Sequence, residues 1–250
     1  MSPAGSEGAG SGARASLLER RDESPVRLYH VSKSYLPGQY ALRDISLEIR
    51  KGEFVFLTGQ SGAGKTTLLE LIFAAERPSE GQILVLGRNI ARLRGSGVPA
   101  LRRRVGVVFQ DFKLLPRRTV EENVGVALDV LGTPRREMRS RVFNMLRQVG
   151  LQHRRHDQPL TLSGGEQQRI AIARALVAEP EILLADEPTG NLDHDLGVEI
   201  MDLMLGAANR GTTVLVATHD ISIVERYRKR TLRLDGGRLA LDVPAAGGLP

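Results

Sequence analysis

The sequence predicts an α/β fold built around a parallel sheet that binds a nucleotide, and three observations carry that expectation. A short run rich in β-formers, Phe54–Thr58, passes into a glycine-rich stretch and then into helical spacing over Thr66–Ala75. Strand, glycine loop and helix in that order form one nucleotide-binding unit. The runs Ile182–Ala185 and Thr213–Ala217 are short and apolar throughout, the pattern of strands covered on both faces.

Taken along the chain, residues 1–24 are rich in Gly, Ser and Ala, carry a net charge of −1 and hold one apolar pair, Leu17–Leu18. That is too little for a secretory signal, and the segment is expected to be a disordered tail. Val26–Val31 and Ile45–Ile49 read as strands on either side of a loop containing Pro37-Gly38. Gln82–Leu86 and Val105–Phe109 are further strands. Between Thr119 and Gly150 the apolar residues change period. Val120, Val124, Ala127, Leu128 and Leu131, then Val142, Met145, Leu146 and Val149, recur at helical spacing. A helical subdomain inserted at about 111–164 is expected there. Ser163–Ala178 reads as another helix and Thr231–Leu234 as a last strand, with a loose end after Val243. The ordered domain is expected to span 25–245.

Composition narrows the function classes. The chain has 250 residues, 41% of them hydrophobic, enough for a core. No uncharged apolar run approaches the ~18–20 residues of a membrane span. There is no Cys, so disulfides, thiolate metal sites and Cys nucleophiles are excluded. The net charge is +6, with 30 Arg against 5 Lys. The Arg pairs and triplets are scattered, as at residues 102–104, 117–118, 135–136 and 154–155. No basic stripe carries interleaved aromatics, and no nucleic-acid partner is expected.

The chemistry is concentrated in two places. Gly59-Gln60-Ser61-Gly62-Ala63-Gly64-Lys65-Thr66 satisfies G-x-x-x-x-G-K-[ST] at every fixed position. Its glycines let successive backbone N–H groups turn inward around an anion, and the next helix aims its N-terminus at the same place. Lys65 supplies a charge to the outer phosphates, and the Thr66 hydroxyl can ligate Mg2+. The second place is Asp186-Glu187, two carboxylates at the end of an apolar strand. In open α/β sheets ligands sit at such strand ends. Asp186 is placed to hold Mg2+ through water, and Glu187 to accept a proton from an attacking water.

A third motif, Leu162-Ser163-Gly164-Gly165-Glu166-Gln167-Gln168-Arg169, begins with a capping box, Ser163-x-x-Glu166, at a helix start. Its paired glycines keep backbone N–H groups accessible, which makes a second anion site. Ser163 lies 98 residues after Lys65 and 23 before Asp186. The order of the three motifs resembles the ATP-binding subunit of an ABC-type ATPase over about residues 26–240.

The resemblance implies a RecA-like core with an antiparallel β subdomain, ATP and Mg2+ as ligands, and a head-to-tail homodimer. In that dimer Ser163, Gly164 and Gly165, with Glu166 beside them, close over the ATP held by the other copy. It implies further roles for single residues. Tyr35 stands where the family stacks an aromatic on adenine. Gln110, opening Gln110-Asp111-Phe112, stands at the loop that touches metal and water and senses a membrane partner. Asp193, in Asn191-Leu192-Asp193, stands at the loop joining the two nucleotide sites. His219 stands near the γ-phosphate, and Thr67 offers a second hydroxyl beside Thr66.

Finer wording, in Glu76-Arg77-Pro78 and in Phe109-Gln110-Asp111-Phe112-Lys113-Leu114-Leu115, resembles the cell-division branch of the family. That branch works with the integral membrane protein FtsX at the cytoplasmic face of the membrane to control cell-wall hydrolases, with other division proteins as further partners. Lipoprotein-release and macrolide-export ATPases share the Ala185–Asp193 wording and remain the alternative. A DNA-acting relative would need long heptad coiled coils between the glycine loop and the Ser163 motif, where Ser163 follows Lys65 by only 98 residues and no sustained heptads are present. A scaffold with a decayed site is at odds with intact Lys65, Asp186, Glu187 and His219.

Overall fold

The computed structural model describes residues 24–190 and 192–246. The expected tail over 1–23, Asn191 and the last four residues of the expected loose end lie outside them. Ser24, at the edge of that tail, is buried, and its hydroxyl donates to Glu48.

Two sheets form the scaffold. The first is antiparallel, in the order β2-β1-β4-β5, from β1 (Val26–Leu36), β2 (Gln39–Ile49), β4 (Glu80–Val85) and β5 (Arg88–Asn89). The second runs β10-β9-β3-β8-β7-β6, from β3 (Phe54–Thr58), β6 (Val105–Val108), β7 (Ile182–Asp186), β8 (Thr213–Ala217), β9 (Arg230–Asp235) and β10 (Arg238–Val243). It is parallel except for β10, which pairs antiparallel with β9. β1 and β2 extend well beyond the apolar runs that predict them and close on each other at the Pro37-Gly38 turn. Their register shifts repeatedly between Leu28 and Leu36. Such bulges break the alternation by which a strand is read from sequence.

The strands of the parallel sheet are buried on both sides. Val55 and Leu57 of β3, Ile182 and Leu184 of β7, and Leu215 and Ala217 of β8 face one core. That core is shared with the antiparallel sheet and with α1 (Lys65–Ile72). Phe54, Phe56, Leu183, Ala185, Val214 and Val216 alternate with them and face a second core. This one is covered by α5 (Gly164–Leu176) and α6 (His194–Asn209). Short α2 (Gly97–Arg102) precedes β6, and α7 (Ile221–Tyr227) follows β8. Between β6 and α5 the chain forms α3 (Val120–Val130) and α4 (Arg135–Gln148). Val120, Val124, Leu128, Val142, Leu146 and Val149, the residues whose helical spacing is visible in the sequence, form a third core with Ile170 and Val177. Among the described residues no helix is long and apolar enough to cross a membrane.

Candidate nucleotide site

The glycine loop joins β3 to α1 at the carboxyl end of the parallel sheet. Two of its glycines are required by their surroundings. Gly59 has φ +149°, and a Cβ there would stand 2.4 Å from the Leu234 carbonyl oxygen. Gly64 has φ +100°, and its Cβ would stand 2.5 Å from the Ala41 carbonyl oxygen. Any side chain at either would push the loop off the sheet. Gln60, Ser61 and Gly62 are exposed at the loop crest, whereas Ala63 is buried and its amide donates to the Gln60 carbonyl at 3.1 Å. Gly64 occupies the N-cap of α1 and provides no side-chain cap. The first N–H groups of a helix have no partner inside it, so this end is open to an anion.

The ammonium of Lys65 is nearly buried. It donates to the Gly59 carbonyl at 2.8 Å and the Gln60 carbonyl at 3.2 Å, inside the loop's own curve. It also lies 3.9 Å from Glu187. Thr66 Oγ1 donates to Asp186 Oδ2 at 2.7 Å, so residues 120 apart in sequence meet. Thr67 is half-buried on the next turn position. Burial holds the Asp186 carboxyl above the usual carboxylate range; the neighbouring Glu187 adds to this, while Thr66 and Lys65 oppose it.

Glu187 adopts φ +47°, a left-handed conformation disfavoured for a residue with a Cβ. Its amide donates to the Ala217 carbonyl at 2.9 Å, which docks the strand end of β7 onto β8. Glu187 Oε2 lies 2.9 Å from His219 Nδ1 and accepts the His219 backbone N–H at 3.4 Å. The imidazole itself is exposed. The structure therefore brings Lys65, Thr66, Asp186, Glu187 and His219 into one chain of contacts. A carboxylate so placed can take a proton from water, with a cation and an imidazole alongside.

Thr66 and Asp186 offer two adjacent hard oxygens. Mg2+ suits such a pair, because it is usually held by one or two protein oxygens plus substrate phosphates and water. No group of three or more His, Cys, Asp or Glu able to hold a metal occurs among the described residues. Gln110, expected in the same metal set, follows β6 as an exposed residue, and no hydrogen bond joins its side chain to Thr66 or Asp186.

Tyr35 stands at the end of β1, 54% exposed. Burial raises the Glu70 carboxyl of α1; Glu76 and Asp186 add to this, and Lys33 and the Tyr35 hydroxyl oppose it.

The third motif is built differently. Ser163 caps α5: its Oγ accepts the Glu166 N–H at 3.3 Å, and Glu166 Oε2 accepts the Ser163 N–H at 2.9 Å. The Ser163 N–H first, then the Ser163 hydroxyl and the charges of Arg154 and Arg169, hold the Glu166 carboxyl below its usual range against the opposing effect of burial. A Cβ at Gly164 would meet nothing within 4 Å; one at Gly165 would press on Leu192 and Leu196 at 3.2–3.3 Å. Among the described residues, no hydrogen bond or ion pair links Ser163 or Glu166 to the Lys65–Glu187–His219 group. Asp193 likewise acts locally, capping α6 by accepting the Leu196 N–H at 2.9 Å.

Two connecting residues have no role assigned from the sequence, although Gln168 lies inside the third motif. Gln168, buried in α5, donates to the Pro188 carbonyl at 2.8 Å, one residue beyond Glu187. Arg174, also from α5, donates to the carbonyls of Phe112 and Lys113 at 2.6 and 2.7 Å. Both of those residues have positive φ, +58° and +48°. Only the helical spacing of α5 hints that Arg174 faces inward.

The ABC transporter family model matches residues 42–190. The chain is 46% identical over 227 residues to the cell division ATP-binding protein FtsE of Streptococcus pneumoniae, covering 91% of this chain and 95% of that one. It is 49% identical over 214 residues to the FtsE of Escherichia coli, covering 86% and 96%. Among solved structures it resembles a dimeric bacterial ABC transporter cassette, at 38% identity and a TM-score of 0.83, over 89% of this chain and all of that one. A dimeric cassette in a post-hydrolysis state bound to ADP and Pi matches at 38% identity and a TM-score of 0.82, over the same shares.

Proposed function

The chain belongs to the ABC transporter family as an ATP-hydrolysing subunit, and from that membership we propose that it powers a membrane complex of the FtsE–FtsX kind. It works at the cytoplasmic face of the membrane as a peripheral homodimer and controls cell-wall hydrolases on the other side. The observation that supports the reading most is the group formed by Lys65, Thr66, Asp186, Glu187 and His219 at the carboxyl ends of β3, β7 and β8.

The glycine loop wraps the ATP phosphates, and Lys65 leaves its two loop carbonyls to meet them. Tyr35 stacks on the adenine. Thr66 and Asp186 would hold Mg2+, with Gln110 reaching it as the site closes; the ion would supply charge neutralisation at the phosphates. Glu187 takes the proton of the attacking water, and His219 stabilises the transferred phosphoryl. The start of α5, with Ser163, Gly164 and Gly165, approaches the γ-phosphate held by the second copy, and Asp193 lies at the seam. One ATP then contacts both chains, and its binding holds the pair closed.

The deciding experiment isolates the chain from membranes in mild detergent and identifies the integral protein bound to it. An FtsX-type protein is the expected result. A substrate-translocating permease in its place would overturn the cell-division reading and leave the ATPase assignment standing.

A further inference from the structure

We propose that Lys33 is a positioning residue for nucleotide base recognition, acting through Tyr35; the inference rests on the reading of Tyr35 as the adenine-stacking residue. The Lys33 ammonium sits over the Tyr35 ring, 4.8 Å from its centroid. It is fixed there by two acceptors beyond α1. Glu76 Oε2 accepts from it at 2.7 Å and the Arg77 carbonyl at 3.1 Å. The Lys33 side chain is only 11% exposed, and a cation so buried is stable because it is paired. Glu76 and Arg77 belong to the Glu76-Arg77-Pro78 stretch, for which the nucleotide site itself has no use.

The arrangement does two things to the ring. It occupies one face with a cation that is anchored to the frame of the domain, so that face cannot take a base and the ring is held in one attitude. It also draws π-density toward the ammonium, which leaves the other face a better partner for an electron-rich purine. The ring reaches the nucleotide already oriented, and less rotamer freedom is lost on binding. The Lys33 ammonium is committed to Glu76, the Arg77 carbonyl and the Tyr35 ring, so its effect is expected on the base and not on the triphosphate.

The test is equilibrium binding of two probes, Mg-ATP and Mg-tripolyphosphate, to the full chain by calorimetry. Four proteins are compared: parental, Lys33→Met, Tyr35→Leu and the double variant. Lys33→Met keeps the apolar stem and removes the charge. It is expected to weaken ATP about three- to tenfold, the range of a partly desolvated cation–π contact, and to leave tripolyphosphate within twofold. In the Tyr35→Leu background the same change should have no further effect on ATP. Equal weakening of both probes, additive losses in the double variant, or an unchanged ATP affinity in Lys33→Met would each overturn the inference. If Tyr35→Leu itself leaves the ratio of the two affinities unchanged, the base-stacking reading falls and takes the inference with it.

Discussion

Helices α1 and α5 both start beside glycines, and both starts carry a motif visible in the sequence, yet they are finished in opposite ways. α1 begins at Gly64 with no side-chain cap, and Lys65 and Thr66 lean on Glu187, just past β7, and Asp186, its last residue. α5 begins at Ser163 with a complete capping box and has no bond to that cluster. The uncapped end has backbone donors to give to a ligand of its own chain. At the capped end the box takes up the Ser163 and Glu166 amides and leaves those of Gly164 and Gly165 without a partner inside the helix, with Gly164 beside open space. An uncapped start makes a cradle; a boxed start with two bare glycines makes a surface that something else must meet.

The sharpest way to break that contrast is mixing. Lys65→Ala is expected to lower ATP turnover at least 100-fold, and Ser163→Arg to lower it comparably by blocking the outward face. Mixed in equal amounts, the two should regain a measurable fraction of parental activity, because one of the two composite sites is intact. No recovery in a steady-state ATPase assay would mean that each start serves only its own chain. A second, smaller contrast lies within the cradle. Glu187→Gln should lower turnover at least 100-fold while leaving ATP affinity within about threefold, since it removes the proton acceptor and keeps the shape. It should also shift the ATP-bound chain toward dimer in gel filtration. Parental turnover in this variant would remove Glu187 from the chemistry.

The smallest expected effect separates the two starts by acid. Asp186 is pushed up, chiefly by burial, so its charged form costs stability at neutral pH, and that cost disappears as pH falls below the ordinary Asp range. Glu166 is pushed down by its cap bonds. Its contribution is complete above the ordinary Glu range and is lost as pH falls through the lowered value. Asp186→Asn should therefore raise the melting temperature of the nucleotide-free chain at pH 7 by about 1–3 °C, with the gain vanishing on acidification. Glu166→Gln, which can still form the capping box, should flatten the acid side of the melting profile. Parallel pH responses in the two variants would erase the distinction.

How much of this could be read beforehand depends on range. The glycine loop, the Asp186-Glu187 strand end and the Ser163–Glu166 cap are local patterns, and they occupy the places their spacing implies. The alternating burial of β3, β7 and β8 appears in the sequence only as unbroken apolar runs, because both faces are covered. α6 and β10 are not among the elements the sequence predicts; β10 is mostly exposed, and its pairing with β9 fixes it. The grouping of Lys65 with Glu187 and His219, the hold of Lys33 on Tyr35, and the reach of Gln168 to Pro188 are long-range. No period or propensity encodes them. Gln110 shows the other limit: its place after β6 is as expected, but its contact with the metal pair is not made within the described chain.

Arg174 has a mechanical consequence. One guanidinium grips two successive carbonyls, Phe112 and Lys113, where, alone among the described residues, two consecutive non-glycine residues are both left-handed. The stretch beyond Gln110 is in this way pinned to the same rod whose far tip carries Ser163. A shove delivered at either end of that rod is felt at the other without an intervening hinge.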